Sequence, residues 1–314
     1  MNDRENSVIY GNEKSEIVLA TGAASSTRAQ ILEYLELTKP RLSLLSVITA
    51  VVGYLAALPT RENSVLVSLV LGTSLAAAGA AALNMWLERD ADARMARTRE
   101  RPVPSGAVSP DSALTFGLLL CAAGDALLYI GVNGLAACLA LATQATYLLA
   151  YTPLKRKTSW CTEIGAIPGA LPPLIGCAGA GAGISTLGWL LFAILLFWQI
   201  PHFMAIAWTY REDYQRAGFP MTTVVDATGA TAAKKALVCT LALVVCSLLP
   251  TFLGYTTPAY AIVAGSTGAW FLLRAIRFLD PESRNSEARR LFFASIAYLP
   301  ILLATLVIDR LILA

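Results

Sequence analysis

The chain has 314 residues, of which 56% are hydrophobic and only 14% are charged, and its formal net charge is +3. Soluble globular proteins carry about 25% charged residues and disordered chains carry few apolar ones, so the composition argues against both classes. The six cysteines form no C-x-x-C pair, which argues against a disulfide or zinc scaffold. The composition predicts an all-α polytopic membrane protein, and no nucleic-acid partner is expected.

The first part of the chain differs from the rest in its polarity. Residues 1–36 are polar, carry both charge signs and lack the apolar segment that a secretory signal peptide needs. We therefore expect a flexible cytoplasmic tail over residues 1–36 and a single transmembrane domain over residues 37–314.

The apolar segments predict about nine membrane-spanning helices, since a helix of roughly 20 apolar residues crosses a bilayer. The fifth of them contains Pro168, Pro172 and Pro173, which predict a kinked helix. The nine predicted spans are Leu44–Leu58, Val65–Leu87, Ala113–Ile130, Leu135–Tyr151, Ile164–Ala180, Leu187–Tyr210, Ala236–Phe252, Ala259–Ile276 and Leu291–Ile308.

The basic residues predict the orientation of these spans. With the N-terminus in the cytoplasm, all of the 24 lysines and arginines except Arg61 and Arg310 fall on the cytoplasmic side. Nine spans then leave the C-terminus outside. The cytoplasmic loops after spans 2 and 6 are long and charged, so we expect the active site on the cytoplasmic face of the membrane.

An acidic motif follows span 2. Asn84, Glu88 and Asp92 are spaced i, i+4 and i+8, so they share one face of a continuing helix, whereas Asp90 points elsewhere. Their oxygen atoms are ligands that Mg²⁺ prefers beside phosphate oxygens. The alternative is a solvated helix end with internal ion pairs. Two like charges on one face favour the metal site, because a cation between them removes their repulsion.

Basic side chains that match a diphosphate lie near this motif in the sequence or on the same predicted face. Anchoring to lipid headgroups is the alternative explanation for them. A metal site with carboxylate ligands beside such cations would favour diphosphate binding. The candidates are Lys39 before span 1, Arg97 and Arg101 after span 2, and Lys155 and Arg156 after span 4.

Span 6 contains the single histidine of the chain, His202, with Gln199 one turn away. Polar side chains at membrane depth are candidates for function, although hydrogen bonding to a neighbouring helix explains them equally well. After this span, Glu212 and Asp213 form a second acidic pair, which either holds a second Mg²⁺ or caps a helix. Asp125 in span 3 lies on the other side of the membrane and is interpreted as structural or paired.

Five segments together resemble the UbiA-type intramembrane prenyltransferases. They are Leu37–Leu42, Asn84–Gly106, Tyr151–Thr158, Gly169–Gly176 and Trp198–Met221. Within that family, M-x-R-T-x-x-R-P from Met95 to Pro102 and W-Q-I-P-H-F from Trp198 to Phe203 resemble the branch that uses haem as its acceptor. The resemblance implies a UbiA-like helical bundle and farnesyl transfer from farnesyl diphosphate to a vinyl group of haem B, with addition of water. The product, haem O, would pass to a haem-modifying enzyme or an oxidase assembly partner.

The resemblance also implies roles for individual residues. Asn84, Glu88 and Asp92 would bind Mg²⁺–diphosphate, Lys155 and Arg156 would meet the diphosphate, and Gln199 and His202 would lie in the haem pocket. Two positions depart from the family pattern. Glu88 stands where many members have aspartate, and the second D-x-x-x-D motif is absent, which leaves Glu212 and Asp213 as the nearest acids and makes Asp213 a candidate catalytic residue.

Three other functions fit parts of this pattern. A prenyltransferase with an aromatic quinone-precursor acceptor would keep the acidic motif but not the features around His202. A haem-binding assembly factor without catalysis would need His202 but not the acidic motif. A small-solute transporter would place charged residues near the midplane of paired broken helices, whereas here the charges gather on one face.

Overall fold

The computed structural model describes residues 27–57 and 62–313, and every regular element within those ranges is helical. The main helices are α1 (27–37), α2 (Pro40–Ala57), α3 (Asn63–Asp92), α4 (Pro110–Gly131), α5 (Gly134–Ala145), α6 (Thr152–Leu154), α7 (Cys161–Ala170), α8 (Pro172–Gly179), α9 (Thr186–Thr209), α10 (Arg211–Arg216), α11 (Thr222–Val225), α12 (Ala230–Phe252), α13 (Pro258–Arg277) and α14 (Arg284–Leu313). A π-helical segment, Thr146–Tyr151, joins α5 to α6.

Eight helices of the described chain are long and apolar enough to cross a membrane. They are α2, α3, α4, the continuous segment Gly134–Leu154, α9, α12, α13 and α14. The prediction of an all-α polytopic membrane fold is therefore confirmed, with eight long spanning helices in place of nine.

The fifth predicted span, Ile164–Ala180, is divided into two short helices. Pro172 begins α8 two residues after α7 ends at Ala170, and Pro168 lies within α7. Proline lacks a backbone N–H and its ring clashes with the preceding turn, so a regular helix does not continue through this sequence. Leu171 between the two helices keeps right-handed helical torsions, so the chain is kinked there as predicted, and neither α7 nor α8 alone reaches the length of about 20 residues that a crossing helix needs.

The last part of the predicted tail is helical. Residues 27–36 belong to α1, Leu37 is fully buried beside Met85 and Val103, and the Tyr34 ring packs edge-on against Phe116 at 5.0 Å. Residues 1–26 and 58–61, with Arg4, Lys14 and Arg61, lie outside the described residues.

Glycines allow the central helices to approach one another closely. A Cβ atom at Gly176 of α8 would overlap the carbonyl oxygen of Ala50 in α2, and one at Gly53 would overlap that of Pro173. Between α3 and α4, a Cβ at Gly79 would lie 2.6 Å from the backbone nitrogen of Cys121. In membrane proteins, small residues of this kind allow the backbones of neighbouring helices to pack closely against each other.

The loops at one end of the bundle are rich in charged residues, with more basic than acidic ones, and we call this end the basic face. It is formed by residues 93–109, 155–160, 210–229 and 278–283. Contacts across it include an ion pair of 2.5 Å between Lys235 and Glu163 and hydrogen bonds from Arg284 to the carbonyl oxygens of Phe278 and Leu279. The chain ends at the opposite end of the bundle, where Arg310 donates to the carbonyl oxygen of Ala56.

Candidate active site

A cavity of about 450 Å³ extends from the basic face into the bundle between α2, α3, α5, α7 and α9. Its head, at the basic face, is charged, and its deeper part is lined largely by small aliphatic and aromatic side chains. The head includes Lys39, Asn84, Glu88, Asp92, Arg97, Arg101 and Lys155, and the deeper walls include Ala76, Ala77, Ala80, Ala81, Tyr147, Tyr151, Ile175 and Phe203.

The last turns of α3 supply the acidic side of the head. Asn84, Glu88 and Asp92 are 2%, 3% and 3% exposed, and all three line the cavity, as their i, i+4, i+8 spacing predicts. The side chain of Asp90, on the same turn, is 75% exposed and lies 3.8 Å from Arg89. One face of α3 therefore delivers three oxygen-bearing side chains to the cavity, while Asp90 faces away from it.

Each of these three side chains is paired with a basic side chain. The Lys39 Nζ donates to Asn84 Oδ1 at 2.7 Å, the Lys155 Nζ lies 3.2 Å from Glu88 Oε1, and Arg101 Nη1 lies 2.6 Å from Asp92 Oδ2. Burying a carboxylate without such a partner is costly. Three basic groups face two carboxylates, so the head has an excess of positive charge that suits a polyanion.

Lys39 adopts an unusual backbone conformation at the start of α2. Its φ of 45° lies in the left-handed region, and it is the single non-glycine residue with positive φ among the described residues. This conformation costs roughly 1–2 kcal/mol for a residue with a Cβ atom. The hydrogen bond to Asn84 helps to hold it. Burial, together with the nearby Arg101, lowers the pKa of Lys39 to about 8.

A hydrogen-bond chain orients the amide of Asn84. Its Nδ2 donates to Thr152 Oγ1 at 3.1 Å, and that hydroxyl donates to the carbonyl oxygen of Tyr147 at 2.9 Å. The π-helical segment Thr146–Tyr151 widens this turn and allows the contact. The sequence pattern did not indicate Thr152, which lies three residues before Lys155 in the segment Tyr151–Thr158.

The oxygen atoms of Asn84, Glu88 and Asp92 are chemically suitable ligands for a magnesium ion. Two carboxylates and one amide oxygen are hard oxygen ligands, and Mg²⁺ completes its shell with water and phosphate oxygens. Within the described residues there is no group of three or more His, Cys, Asp and Glu side chains that could hold a metal. A metal held by Asn84, Glu88 and Asp92 would complete its shell with oxygen atoms of water or of a phosphate.

Aromatic and small side chains line the cavity below the head. Tyr147 and Tyr151 stack with ring centroids 5.6 Å apart, and the Lys155 Nζ lies 4.9 Å from the ring centroid of Phe219. Deeper in the cavity, Gln144 donates to Asp125 Oδ1 at 2.8 Å, so Asp125 is paired. The buried hydroxyl of Thr73 has no hydrogen-bond partner among the described residues.

Two predicted diphosphate ligands occupy different positions. Arg97 lines the cavity, and its guanidinium lies 5.5 Å from the ring centroid of Tyr210. Arg156 is exposed, does not line the cavity and donates to the carbonyl oxygen of Leu87 at 3.1 Å. The structure therefore brings Arg97, but not Arg156, to the cavity.

The second acidic pair is not brought to the cavity either. Glu212 is exposed on α10, and Asp213 Oδ1 accepts a hydrogen bond of 2.5 Å from Arg216 one turn later. Neither residue lines the cavity. Sequence adjacency therefore does not bring these carboxylates to the acidic motif of α3.

The two residues expected in a haem pocket face different neighbours. Gln199 lines the cavity and donates to the carbonyl oxygen of Ala166 at 3.3 Å. His202 faces α14, where its Nδ1 lies 2.7 Å from Ser295 Oγ, and its ring stacks on Trp198 and Phe292. His202 does not line the cavity, because its position three residues after Gln199 is offset by about 60° around α9 and faces α14.

Comparison with solved structures identifies the fold. One similar chain comes from a structural study of digeranylgeranylglyceryl phosphate synthase, with a TM-score of 0.75 and 18% identity, covering 90% of this chain and 98% of that one. Another is a UbiA homologue from Archaeoglobus fulgidus bound to GPP and Mg²⁺, with a TM-score of 0.65 and 16% identity, covering 87% of this chain and 99% of that one.

Sequence comparison identifies the family. Residues 46–297 match the UbiA prenyltransferase family. A protein named protoheme IX farnesyltransferase from Opitutus terrae is 54% identical over 92% of this chain and 98% of its own length. A protein of the same name from Solibacter usitatus is 42% identical over 88% of this chain and 98% of its own length. The chain therefore belongs to the UbiA prenyltransferase family of integral membrane proteins.

Proposed function

We propose that this protein transfers a farnesyl group from farnesyl diphosphate to a vinyl group of haem B, with addition of water, to give haem O for terminal oxidase assembly. The observation that carries the proposal is the division of the cavity into a cationic head and a largely apolar body. A prenyl diphosphate has the same division. The acceptor is inferred from the name of the relatives that are 54% and 42% identical to this chain.

The head binds and neutralises the diphosphate in this proposal. Asn84, Glu88 and Asp92 hold Mg²⁺, which when bound supplies charge stabilisation to the leaving group. Lys39, Arg101 and Lys155 then exchange their present partners on α3 for phosphate oxygens. These cations lower the free energy of the developing diphosphate anion and so assist heterolysis of the allylic C–O bond. Arg97 joins them, whereas Arg156, Glu212 and Asp213 are left without a role in the head.

The walls of the cavity protect the carbocation. The stacked Tyr147 and Tyr151 and the alanines of α3 line the space below the head and keep bulk water from the allylic carbon. The vinyl π electrons form the new C–C bond and leave a cation on the carbon beside the pyrrole. One water molecule adds there and loses a proton, which gives the hydroxyethylfarnesyl side chain.

The remaining assignments belong to the same proposal. Residues 37–314 act as a single catalytic domain in the inner membrane of a bacterium, with the basic face in the cytoplasm. This side is favoured because 22 of the 24 lysines and arginines fall in the segments predicted to be cytoplasmic, which include the loops of the basic face. Haem O then passes to a haem-modifying enzyme or an oxidase assembly partner.

Mass spectrometry of extracted haems tests the reaction. Membranes containing the protein are incubated with haem B and farnesyl diphosphate, with Mg²⁺ or with a chelator. We expect a Mg²⁺-dependent product that is heavier than haem B by one farnesyl group and one hydroxyl group, since the added water loses a proton. Asp92→Asn should abolish this product while the protein remains folded in the membrane. Asp90→Asn is the matched control, since Asp90 lies on the same turn and is exposed, and it should retain full turnover.

Other results point to other functions. Consumption of farnesyl diphosphate only with an aromatic quinone precursor would replace the haem acceptor. Haem binding without consumption of farnesyl diphosphate by any acceptor would support a non-catalytic assembly factor. Full activity of Asp92→Asn would contradict the assignment of the head.

A further inference from the structure

A second cleft, of about 270 Å³, lies on the basic face where α9 ends and α14 begins. It is separate from the cavity of the acidic motif and shares none of its lining residues. Its walls are formed by Trp208, Thr209, Arg211, Asn285 and Arg289.

The polar groups of this cleft are mostly hydrogen-bond donors. Arg211 donates to the carbonyl oxygen of Trp208 at 2.9 Å, and its guanidinium lies 4.5 Å from the indole ring centroid, which holds it in place. The Asn285 Oδ1 accepts from the indole nitrogen of Trp208 at 2.9 Å, which leaves the amide N–H groups of Asn285 available. Arg289 is exposed on the next turn of α14.

These two arginines differ from several others on the same face. Arg216, Arg274 and Arg290 each lie within 4.0 Å of a carboxylate, whereas no carboxylate of the described residues is that close to Arg211 or Arg289. Two guanidinium groups and an amide donor without an anionic partner form a binding site for an anion. Guanidinium groups bind carboxylates with two parallel hydrogen bonds.

A row of aromatic rings connects the cleft to the cavity. Phe292 lies one turn after Arg289 on α14, and its ring stacks on His202 with centroids 5.0 Å apart. The His202 ring contacts Phe203 at 5.3 Å, and Phe203 lines the cavity. A ligand with a flat aromatic body and carboxylates at one edge would therefore meet cations at one end of this row and the cavity at the other.

We propose that the α9–α14 cleft binds the carboxylates of the acceptor, so that Arg211 and Arg289 orient its aromatic ring along Phe292, His202 and Phe203 with the opposite edge toward the cavity. This inference rests on the proposed function, because haem B carries two propionates on one edge and its vinyl groups away from them. His202 then acts as part of the aromatic row, with its Nδ1 engaged by Ser295.

Acceptor titrations with haem B and with its propionate dimethyl ester test the cleft. In the wild-type protein the diester should have the higher KM. Arg289→Gln and Arg211→Gln should raise the KM for haem B by about 10- to 100-fold, the effect of losing a charged hydrogen bond, and should leave the KM of the diester nearly unchanged. The KM of farnesyl diphosphate should not move, and Arg289→Lys should restore part of the loss. Arg277→Gln is the control, since Arg277 is exposed on α13 and does not line the cleft.

A binding measurement separates this inference from the proposed function. Absorbance titration of the purified protein in nanodiscs with haem B reports affinity without turnover, and Arg289→Gln should weaken it. A wild-type protein that forms no farnesylated haem contradicts the proposed function. Normal turnover together with a wild-type KM and affinity in Arg289→Gln contradicts the cleft assignment alone.

An anionic lipid headgroup is the competing ligand for the same donors. Nanodiscs of phosphatidylcholine alone and with phosphatidylglycerol distinguish the two sources. If Arg289→Gln changes activity only when phosphatidylglycerol is present, and equally for haem B and its diester, the cleft binds lipid and the inference is overturned. The expected result is the same loss of haem affinity in both lipid mixtures.

Discussion

The oxygen ligands of the active-site head are neutralised by basic residues of the protein itself. Glu88 and Asp92 are buried, and each is paired with one cation, Lys155 or Arg101, at 3.2 Å or 2.6 Å. A buried carboxylate is strongly stabilised by such a pair. Mg²⁺ alone would therefore have to displace a lysine and an arginine that have no other anion to bind. When a diphosphate arrives with the metal, those cations move to phosphate oxygens, and all charges stay paired.

This arrangement predicts that Mg²⁺ and diphosphate bind interdependently. We expect the Mg²⁺ affinity, measured by isothermal titration calorimetry, to increase about 10-fold or more in the presence of an unreactive farnesyl thiolodiphosphate, a coupling of roughly 1.4 kcal/mol. The variant Asp90→Asn should show the same coupling, because Asp90 is exposed and outside the head. Equal Mg²⁺ affinities with and without the analogue would show that the ion pairs do not compete with the metal.

A second prediction at the scale of one residue concerns the Thr152 hydroxyl, which positions the amide of Asn84. The hydroxyl accepts the amide hydrogen bond of Asn84, so Thr152→Val should leave the Asn84 side chain held at its oxygen by Lys39 but no longer at its nitrogen. We expect kcat to fall about 5-fold, since a hydrogen bond to a positioned group contributes roughly 1 kcal/mol, and Mg²⁺ affinity with the diphosphate analogue to fall with it.

Two further variants decide whether this effect comes from positioning. Thr152→Ser keeps the hydroxyl and should restore most of kcat. Thr146→Val removes a threonine of the same segment whose hydroxyl bonds only to its own helix, at Ala142 and Thr143, and should be nearly neutral. A large loss in Thr146→Val, or no rescue by serine, would indicate damage to the π-helical segment instead.

At the residue scale, local periodicity predicts contacts within an element but not between elements. Asn84, Glu88 and Asp92 share a face because the helix repeat places them there. Thr152 meets Asn84 across 68 positions of sequence, and Ser295 meets His202 across 93. Residue spacing within one helix does not predict those contacts, because they arise from the packing of α3 on the π-helical segment and of α9 on α14.

At the scale of elements, apolar length predicts where helices cross but not where they end. Span 7 was expected over Ala236–Phe252 and span 9 over Leu291–Ile308, whereas α12 begins at Ala230 and α14 extends over Arg284–Leu313. Hydropathy detects only the portion of a helix within the hydrocarbon layer. Polar turns beyond that layer remain helical because capping and tertiary contacts satisfy their backbone groups.

Because α2 and α8 approach each other closely at Gly176, we expect a larger side chain at this position to lower the stability of the protein. Gly176→Ala places a methyl group where the Ala50 carbonyl oxygen now lies, so the helices must separate. We expect a loss of about 1–3 kcal/mol in stability, the usual cost of overpacking, seen as a lower unfolding temperature in detergent. Gly265→Ala is the control, since the nearest atom to its Cβ is 4.0 Å away. Equal unfolding temperatures for both variants would contradict this account of the α2–α8 contact.

We expect the stability of the protein to depend on pH through the carboxylate of Asp226, in the turn before α12. Asp226 accepts hydrogen bonds from the backbone N–H groups of Thr228 and Thr231 at 3.0 Å and 2.8 Å and from the Thr228 hydroxyl. The hydrogen bonds from Thr228 and Thr231 hold the pKa of Asp226 well below its ordinary value. Because the folded state favours the ionised form, the stabilisation is present above the unfolded pKa and is lost as the pH falls through the folded one.

Thermal unfolding of wild-type and Asp226→Ala protein measures this effect. We expect the variant to be less stable by about 1 kcal/mol at pH 7, the typical loss of a capping side chain. The difference should begin to shrink below about pH 4, where the unfolded carboxyl protonates. Asp90→Ala, which removes an exposed carboxylate with one distant ion pair, should show no such convergence. Parallel curves down to pH 3 would contradict the capping role of Asp226.

At the scale of the whole molecule, the two ends of the bundle differ in charge and in the chain terminus that they hold. Lys39, at the start of α2, contacts Asn84 on the basic face, while Arg310, near the end of α14, donates to Ala56 at the other end of α2. The described chain therefore begins at one end of the bundle and finishes at the opposite one. The kink in the fifth span does not alter this arrangement, because α7 and α8 still carry the chain from the basic face to the far end.

Reporter fusions test which end faces the cytoplasm. Lysine and arginine are retained on the cytoplasmic side during insertion, so the basic face should lie inside and Leu313 outside. We expect a green fluorescent protein fused to the C-terminus of the full chain to be dark and alkaline phosphatase at the same position to be active. Fusions after Asp280, which lies at the basic face before α14, should give the reverse result. A fluorescent C-terminal fusion in the full chain would invert the topology and place the head of the cavity, with its diphosphate site, on the side of the membrane away from the cytoplasm.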